Sequence, residues 1–262
     1  MLRSRGSRLL VVVWVCASLA SVPAFAWTPQ SQVEIAESAA RLAPPDLLHL
    51  IAKYRDDYRK GVLAAFEDGN AARHRQEEDG GALRATVLYE ASGAVAAIEA
   101  HRPLEEVVYR LGVVAHYVSD ANFPLNTSAG DPQEGAYFAD FARYLESTEP
   151  RIQTVFYGLR PAVQRASSLD GMLDQTFARS RKLYPRIGEE YRRIGTVDGR
   201  RFFDDRSTAF GIAALCHSHA LTDIAEVLRW VWVKAGGIDQ RRGLPVRGEG
   251  LVLIPRTDVA AR

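Results

Sequence analysis

One segment of the chain places an imidazole and a carboxylate four residues apart within an apolar stretch. Residues 111–126 read LGVVAHYVSDANFPLN, with His116 and Asp120 at that spacing. In a helix, residues four apart stack on one face, one turn apart, where both side chains reach a single cation. The apolar neighbours Val114 and Val118 predict that this face points towards the core. A His–Asp pair at this spacing is also common as a plain hydrogen-bonded pair, so the segment alone leaves both interpretations open.

A second histidine-rich segment lies nearer the C-terminus, at residues 216–223. Its His219 and Asp223 are again four residues apart and form a reserve candidate for metal binding. His217 and His219 would lie about 200° apart around a helix, so they cannot both face one ion. The sequence therefore favours a hydrogen-bonded helical histidine here over a metal ligand.

Helices must position these side chains, because apolar residues recur at helical spacing in almost every segment. No clear stretch of alternating β-branched residues predicts a strand, so the expected fold class is all-α, a multi-helix, bundle-like single domain. In such a bundle, ligands and metals sit between facing helices. The sequence predicts helices at about residues 32–42, 45–66, 83–101, 104–118, 136–145, 169–194 and 207–235.

Both ends of the chain are predicted to lie outside this domain. The first eight residues carry three arginines and no acid, and an apolar run over 9–20 is followed by the tripeptide Ala-Phe-Ala. This pattern predicts a signal peptide over residues 1–26 and a secreted or periplasmic mature chain that begins at Trp27. Lipid modification of Cys16 is the less favoured alternative, because a bulky valine precedes that cysteine. Residues 238–262 lack a helical period and are expected to form a flexible tail.

The composition of the mature chain argues against several classes of function. Removing 26 of the 262 residues leaves 236, and residues 27–237 are predicted as one domain with one sizeable core. The removal lowers Lys+Arg from 33 to 30 against 32 Asp+Glu, and a net charge of −2 gives no strong attraction to nucleic acid or membranes. Cys216 is then the one remaining cysteine, so no internal disulfide is expected. The sequence also lacks a membrane-length apolar stretch, a Gly-rich phosphate loop, a CxxC pair and a Gly-x-Ser-x-Gly elbow.

The residues that carry chemistry resemble those of a known family. A tryptophan at the predicted mature terminus, a helical chain and then LGVVAHYVSDANFPLN are similar to the zinc-dependent phospholipase C family, whose superfamily includes secreted single-strand nucleases of the same helical fold. The resemblance spans residues 27 to about 236, and its specific parts are the terminus and the His116 segment. In that family three zinc ions lie in a cleft, and the α-amino group and carbonyl of the first mature residue chelate one of them. The resemblance assigns this role to Trp27 and implies an enzyme that becomes competent only after export.

The resemblance implies one complete zinc shell in this chain. The family has an aspartate and a histidine between its second and third helices, and Asp68 and His74 match them, with Glu67 as an alternative to Asp68. With His116 and Asp120 they would form a shell of two histidines and two carboxylates, which suits zinc. A single zinc ion is therefore expected there, with the terminal tryptophan near a second, weaker position. The metal ligands implied in this way are Trp27, Asp68, His74, His116 and Asp120.

Several ligands of the family are missing from this chain. Asn126 stands where the family's central helix has a further zinc-binding histidine, and Tyr137 and Phe141 stand where its next helix has His and Glu. The family also has a histidine soon after the terminal tryptophan, whereas the nearest polar candidate here is Gln32. One of the three zinc shells is therefore expected to be dismantled, and the terminal one weakened.

The resemblance leads to a functional prediction and two alternatives. A zinc ion with an open coordination position activates a water molecule and polarises a phosphoryl oxygen, so the resemblance implies a phosphodiester hydrolase with Asp68 as general base. A phospholipid headgroup is favoured over nucleic acid as the substrate, because the basic residues do not form a track. The first alternative is a catalytically degenerate member of the fold that binds a lipid, peptide or protein. The second is a purely structural envelope protein.

Overall fold

The computed structural model describes residues 26–78, 80–161, 169–240 and 243–255. The all-α prediction is confirmed, because helices make up most of the described chain and its strands form only two short pairs. The predicted signal peptide lies, apart from its last residue, outside the described residues. None of the helices in these ranges combines the length and the apolar character that a bilayer crossing requires.

Nine α-helices follow one another along the described chain. They are α1 (Pro29–Ala40), α2 (Pro45–Lys53), α3 (Arg55–Ala64), α4 (Leu83–Glu99), α5 (Leu104–Ala121), α6 (Glu134–Thr148), α7 (Asp170–Ile194), α8 (Gly199–Phe202) and α9 (Thr208–Lys234). Single 3-10 turns lie at Ala65–Glu67, Ala71–His74, Pro124–Asn126 and Glu149–Arg151. The antiparallel strand pairs are β1 (Gln76–Glu77) with β2 (Gly80–Gly81), and β3 (Val155–Phe156) with β4 (Val252–Leu253).

Among the differences between predicted and observed helix bounds, two have clear local reasons. The helix predicted over 45–66 is two helices, because the backbone leaves the helical region at Tyr54, where φ is −112° and ψ is 39°. The first helix begins at Pro29, three residues before its predicted start, because Thr28 Oγ1 caps it by accepting a hydrogen bond from the Ser31 amide at 3.4 Å.

Helix α5 lies at the centre of the core and packs against α1, α3, α4 and α9. Its C-terminal part, residues 111–121, is buried at every position except Val113. The face that carries His116 and Asp120 therefore points into protein, as the apolar neighbours in the sequence predict. Because other elements surround this face, side chains from distant parts of the chain reach it.

The backbones of α3 and α5 touch where the two helices cross. A Cβ atom at Gly61 would lie 1.9 Å from the Tyr109 carbonyl oxygen, and one at Gly112 would lie 2.1 Å from the Tyr58 carbonyl oxygen. Only glycine permits an approach this close, because both distances are far below van der Waals contact. The crossing brings the carbonyl group of Val62, at the end of α3, against α5.

Within the segment that the sequence predicts as a flexible tail (residues 238–262), the described residues 243–255 make contacts with the domain. Strand β4 pairs with β3, and Val246 forms a parallel bridge with Leu159. Ile254 is buried, and its amide donates a hydrogen bond to the Thr154 carbonyl oxygen at 3.0 Å. Backbone pairing and one apolar side chain thus fix residues 243–255 on the domain, and neither feature produces a helical period in the sequence.

Candidate metal centre

Three of the predicted ligands converge in the core. His74 ends the second 3-10 turn after α3 (Ala71–His74), whereas His116 and Asp120 lie one turn apart on α5. Asp120 Oδ2 is 2.7 Å from His74 Nδ1 and 3.3 Å from His116 Nε2, and the two ring nitrogens are 3.4 Å apart. The side chains are nearly enclosed, since His116 is 1 %, Asp120 2 % and His74 8 % exposed. Two distant stretches of the chain therefore bring three ligand atoms to one point.

A backbone carbonyl sets the tautomer of His116. His116 Nδ1 lies 2.8 Å from the Val62 carbonyl oxygen, which can only accept a hydrogen bond, so Nδ1 carries the proton. When the ring is neutral, as metal binding requires, its lone pair is on Nε2, the nitrogen that faces His74 and Asp120. The edge of this ring also packs against Phe66, with ring centroids 4.8 Å apart. The carbonyl contact is the outer hydrogen bond that zinc-binding histidines commonly make.

The three donors fit a divalent transition metal. Zinc bonds of about 2.0–2.1 Å in a tetrahedral arrangement place ligand atoms roughly 3.3 Å apart. Two of the three separations, 3.3 and 3.4 Å, match this spacing. The third, 2.7 Å between His74 and Asp120, is a hydrogen bond that a bound ion would replace. This buried His–His–Asp group can therefore hold a metal ion and leave a coordination position open.

Gln32 orients the carboxylate from the opposite side. Its Nε2 donates hydrogen bonds to Asp120 Oδ1 at 3.1 Å and to Ser119 Oγ at 2.8 Å. Burial acts to raise the pKa of Asp120, but the charge of His116 and hydrogen bonds from His116 and His74 outweigh it, so the pKa lies below its usual value. The carboxylate is thus anionic at neutral pH. Gln32, which the resemblance offers in place of a family histidine, thus bonds to one of the three converging residues.

Asp68 lies close to the three converging residues but is bonded to other partners. Its carboxylate accepts hydrogen bonds from Arg73 Nη1 at 2.6 Å and from the Tyr117 hydroxyl at 2.9 Å. Burial acts to raise the pKa of Asp68, but bonds from the Asn70 amide, Tyr117 and Arg73 outweigh it and lower the pKa. Asp68 is not a member of the group of converging ligand atoms, and its alternative Glu67 is exposed.

Trp27 packs against the last turn of α5. Its indole Nε1 donates a hydrogen bond to the Ser119 carbonyl oxygen at 3.0 Å, one residue before Asp120. Its ring lies edge-on to Phe123 and His217, with centroid separations of 5.9 Å in both cases. The side chain thus has a packing role beside the three converging residues. A metal bond through its α-amino group and carbonyl stays a prediction.

Asn126, Tyr137 and Phe141, which the resemblance places where the family has further zinc ligands, make packing and backbone contacts. The side-chain amide of Asn126 donates to the Asp120 carbonyl oxygen at 3.4 Å. The Tyr137 ring stacks on Tyr191 at 4.5 Å, and Phe141 is buried in the core. That one of the family's zinc shells is dismantled in this chain stays a prediction.

The reserve pair His219 and Asp223 belongs to a different set of contacts. Asp223 is fully buried and accepts hydrogen bonds from Arg160 Nη1 at 3.0 Å and from Arg179 Nη2 at 2.7 Å. The His219 ring stacks on Tyr157 at a centroid distance of 4.4 Å. Sequence reasoning missed these arginines, because their partners come from separate elements and no spacing rule connects them. It also missed the Val62 carbonyl, since a backbone group leaves no trace in residue types.

Comparison with known proteins adds no independent assignment. No model of a known protein family matches the chain. No curated protein matches it either. The likeness to the zinc-dependent phospholipase C family therefore depends on the residues named above.

Proposed function

We propose that the protein is an exported phosphodiester hydrolase of the zinc-dependent phospholipase C type, with one zinc ion held by His74, His116 and Asp120. The observation that carries the proposal is the convergence of these three side chains from two distant stretches of the chain. Two imidazoles and one carboxylate form a common ligand set of catalytic zinc, in which a fourth position is left for water or substrate.

The chain's own residues prepare this ligand set. The Val62 carbonyl keeps the proton of His116 on Nδ1, and Gln32 holds Asp120 Oδ1, so the lone pairs of Nε2 and Oδ2 face one point. Such outer contacts reduce the reorganisation needed when an ion binds. When bound, a zinc ion supplies Lewis-acid polarisation of a phosphoryl oxygen and activation of water.

A surface pocket lined in part by Arg73, the residue before His74, is the candidate place for substrate. Arg73 precedes His74 in the chain, and the Tyr117 ring contacts both side chains. Arg73 also lines a pocket of about 330 Å³ together with Thr86, Tyr89 and Glu90. Its guanidinium is held in place by bonds to Asp68 and Glu90, so a phosphodiester would have to compete with these carboxylates for it. The residues that line this pocket are Arg73, Ala85, Thr86, Tyr89 and Glu90.

Metal analysis and an activity assay test the proposal together. Untagged wild-type protein is expected to retain one zinc ion per chain, whereas His116→Ala retains none. The matched control is His49→Ala, since His49 is an exposed histidine on α2. A chromogenic phosphocholine diester is expected to be hydrolysed by wild type and His49→Ala, and chelator or Asp120→Asn abolishes turnover. Absence of stoichiometric zinc in the wild type overturns the metal assignment.

A second candidate function is a metal-binding but non-catalytic member of the same fold. It is favoured by the near-complete enclosure of the three ligands and by the ion pair that occupies Asp68. A carboxylate with a lowered pKa is a weak general base. Bound zinc without turnover on phosphocholine or oligonucleotide diesters would support this candidate over the hydrolase.

A further inference from the structure

Three arginines gather around two carboxylates at a distance from the candidate metal centre. We call this group the arginine cluster. Arg160 lies just after β3, Arg179 on α7 and Arg247 in the segment after α9, whereas Asp223 and Glu226 lie one turn apart on α9. The charges of all three arginines act to lower the pKa of Asp223, and both carboxylates act on Arg160, so the groups lie close together.

Two of the arginines already occupy both carboxylates. Asp223 binds Arg160 and Arg179, and Glu226 binds the backbone amide and the Nη1 group of Arg160. Both acids are fully buried, so no further carboxylate oxygen of theirs is open to solvent. The third guanidinium, that of Arg247, therefore needs a hydrogen-bond partner other than these two carboxylates.

Arg247 presents an unpaired edge. Its Nε and Nη2 are buried and have no hydrogen-bond acceptor among the described residues. These two atoms form the side of a guanidinium that binds two oxygens of one anion. Arg160 Nη2 is likewise buried without an acceptor in the described ranges. The Arg247 amide donates a hydrogen bond to the Leu159 carbonyl, so the segments that carry the two arginines lie side by side. Buried donors without acceptors are costly, so this arrangement favours a bound anion.

The local charge balance points the same way. Three guanidinium groups face two carboxylates, which leaves at least one positive charge in excess. Burial raises the pKa of Glu226 to about 7, so this carboxyl is partly protonated at neutral pH and compensates less. Burial and Arg179 lower the pKa of His219 to about 3, and the ring therefore stays neutral beside the cluster. The excess of one to two charges suits an anion that carries two.

We propose that the arginine cluster binds a phosphate-type oxyanion, with Nε and Nη2 of Arg247 as its bidentate donors. A phosphate group matches both the two-donor edge and the excess charge better than a single carboxylate does. The cluster borders solvent, since Arg247 is half-buried and the Arg179 side chain is 20 % exposed. The phosphate is either inorganic or part of a phosphomonoester.

The site is independent of the proposed hydrolase. Asn122, two residues beyond Asp120, bonds both Arg179 and Asp223, but none of the three metal ligands belongs to the cluster. The test therefore uses metal-free His116→Ala protein, in which phosphate cannot bind to a metal ion. Failure of anion binding in this background leaves the metal assignment untouched, and the reverse also holds.

Calorimetric titration of the full-length mature chain with inorganic phosphate, at constant ionic strength, tests the proposal. Glycerol phosphate forms a second arm for the phosphomonoester source, and acetate is the reference anion. Saturable binding of at least one phosphate species is expected, with Arg247→Gln at least about tenfold weaker. The matched control is Arg186→Gln, since Arg186 is an exposed arginine paired with Glu189, and its affinity is expected to equal that of the parent protein.

Thermal unfolding separates this site from a purely structural cluster. In phosphate-free buffer, Arg247→Gln is expected to unfold at the same temperature as the parent protein or higher, because the substitution removes buried N–H groups that have no acceptor among the described residues. Phosphate is expected to raise the melting temperature of the parent protein but not of Arg247→Gln. Equal phosphate affinity in both proteins, no binding of either phosphate species, or a lower melting temperature of Arg247→Gln without phosphate overturns the proposal.

Discussion

Gly112→Ala perturbs the contact that positions the candidate metal centre. The new Cβ atom would lie 2.1 Å from the Tyr58 carbonyl oxygen, 2.8 Å from the Val62 amide nitrogen and 3.0 Å from the Gly61 Cα atom. All three are backbone atoms of α3, which cannot turn aside as a side chain does. The two helices must therefore move apart at their crossing.

The magnitude follows from two opposing effects. Overpacking of a tight interior contact costs about 3 kcal/mol when backbone must shift. Replacement of a helical glycine by alanine returns about 1 kcal/mol. We therefore expect Gly112→Ala to lose about 2 kcal/mol of unfolding free energy. The same movement draws the Val62 carbonyl away from His116 Nδ1, and loss of such an outer contact weakens metal binding by about 10- to 100-fold.

Urea unfolding followed by circular dichroism measures the first effect, and calorimetric zinc titration measures the second. The matched control is Gly211→Ala on α9, where a Cβ atom meets nothing within 4 Å. We expect this control to gain up to about 1 kcal/mol and to keep its zinc affinity. The reasoning is refuted if Gly112→Ala is as stable as Gly211→Ala and binds zinc as tightly.

Three further substitutions give separate expectations. Burial and Arg179 lower the pKa of His219 to about 3, below its unfolded value near 6.5. The contribution of His219 to the unfolding free energy is therefore complete above about pH 6.5 and is lost as the pH falls towards 3. Between about pH 7 and pH 4.5 this amounts to about 2–3 kcal/mol in urea unfolding, and His219→Gln should lose that part of the pH dependence. Asp68→Asn should change the zinc affinity by less than about threefold, because Asp68 is bonded to Arg73. A loss of tenfold or more in a calorimetric titration (about 1.4 kcal/mol) would instead identify Asp68 as a fourth ligand. Ser207→Ala should lower the unfolding free energy by about 1 kcal/mol, since Ser207 Oγ caps α9 at the Phe210 amide, and an unchanged urea midpoint would contradict this.

The sequence predicts the helix face that carries the candidate metal centre better than it predicts the contacts made there by other segments. The four-residue spacing of His116 and Asp120 and their apolar neighbours predict one buried helix face, and the structure confirms that face. His74 has no such local pattern, because its contact with Asp120 joins residues 46 positions apart, and only the family resemblance points to it. The Val62 carbonyl cannot be predicted at all, since it depends on a glycine-to-glycine helix crossing rather than on a side chain.

The differences in the fold also have physical causes. The break at Tyr54 lies inside a continuous helical pattern, where backbone geometry rather than residue type ends the helix. Residues 243–255 have no periodic pattern, but β4 and the buried Ile254 attach them to the domain. The same attachment places Arg247 beside Arg160, so the arginine cluster could not be predicted before this segment was located.

X-ray absorption spectroscopy of zinc-loaded wild-type protein tests the central claim most directly. The expected spectrum contains two imidazole nitrogens and oxygen ligands at about 2.0–2.1 Å. Cys216 is the only cysteine in the predicted mature chain and is buried away from the group of converging ligand atoms, so no sulfur ligand is expected. Failure to bind zinc, or a sulfur ligand at about 2.3 Å, would contradict a centre built from His74, His116 and Asp120.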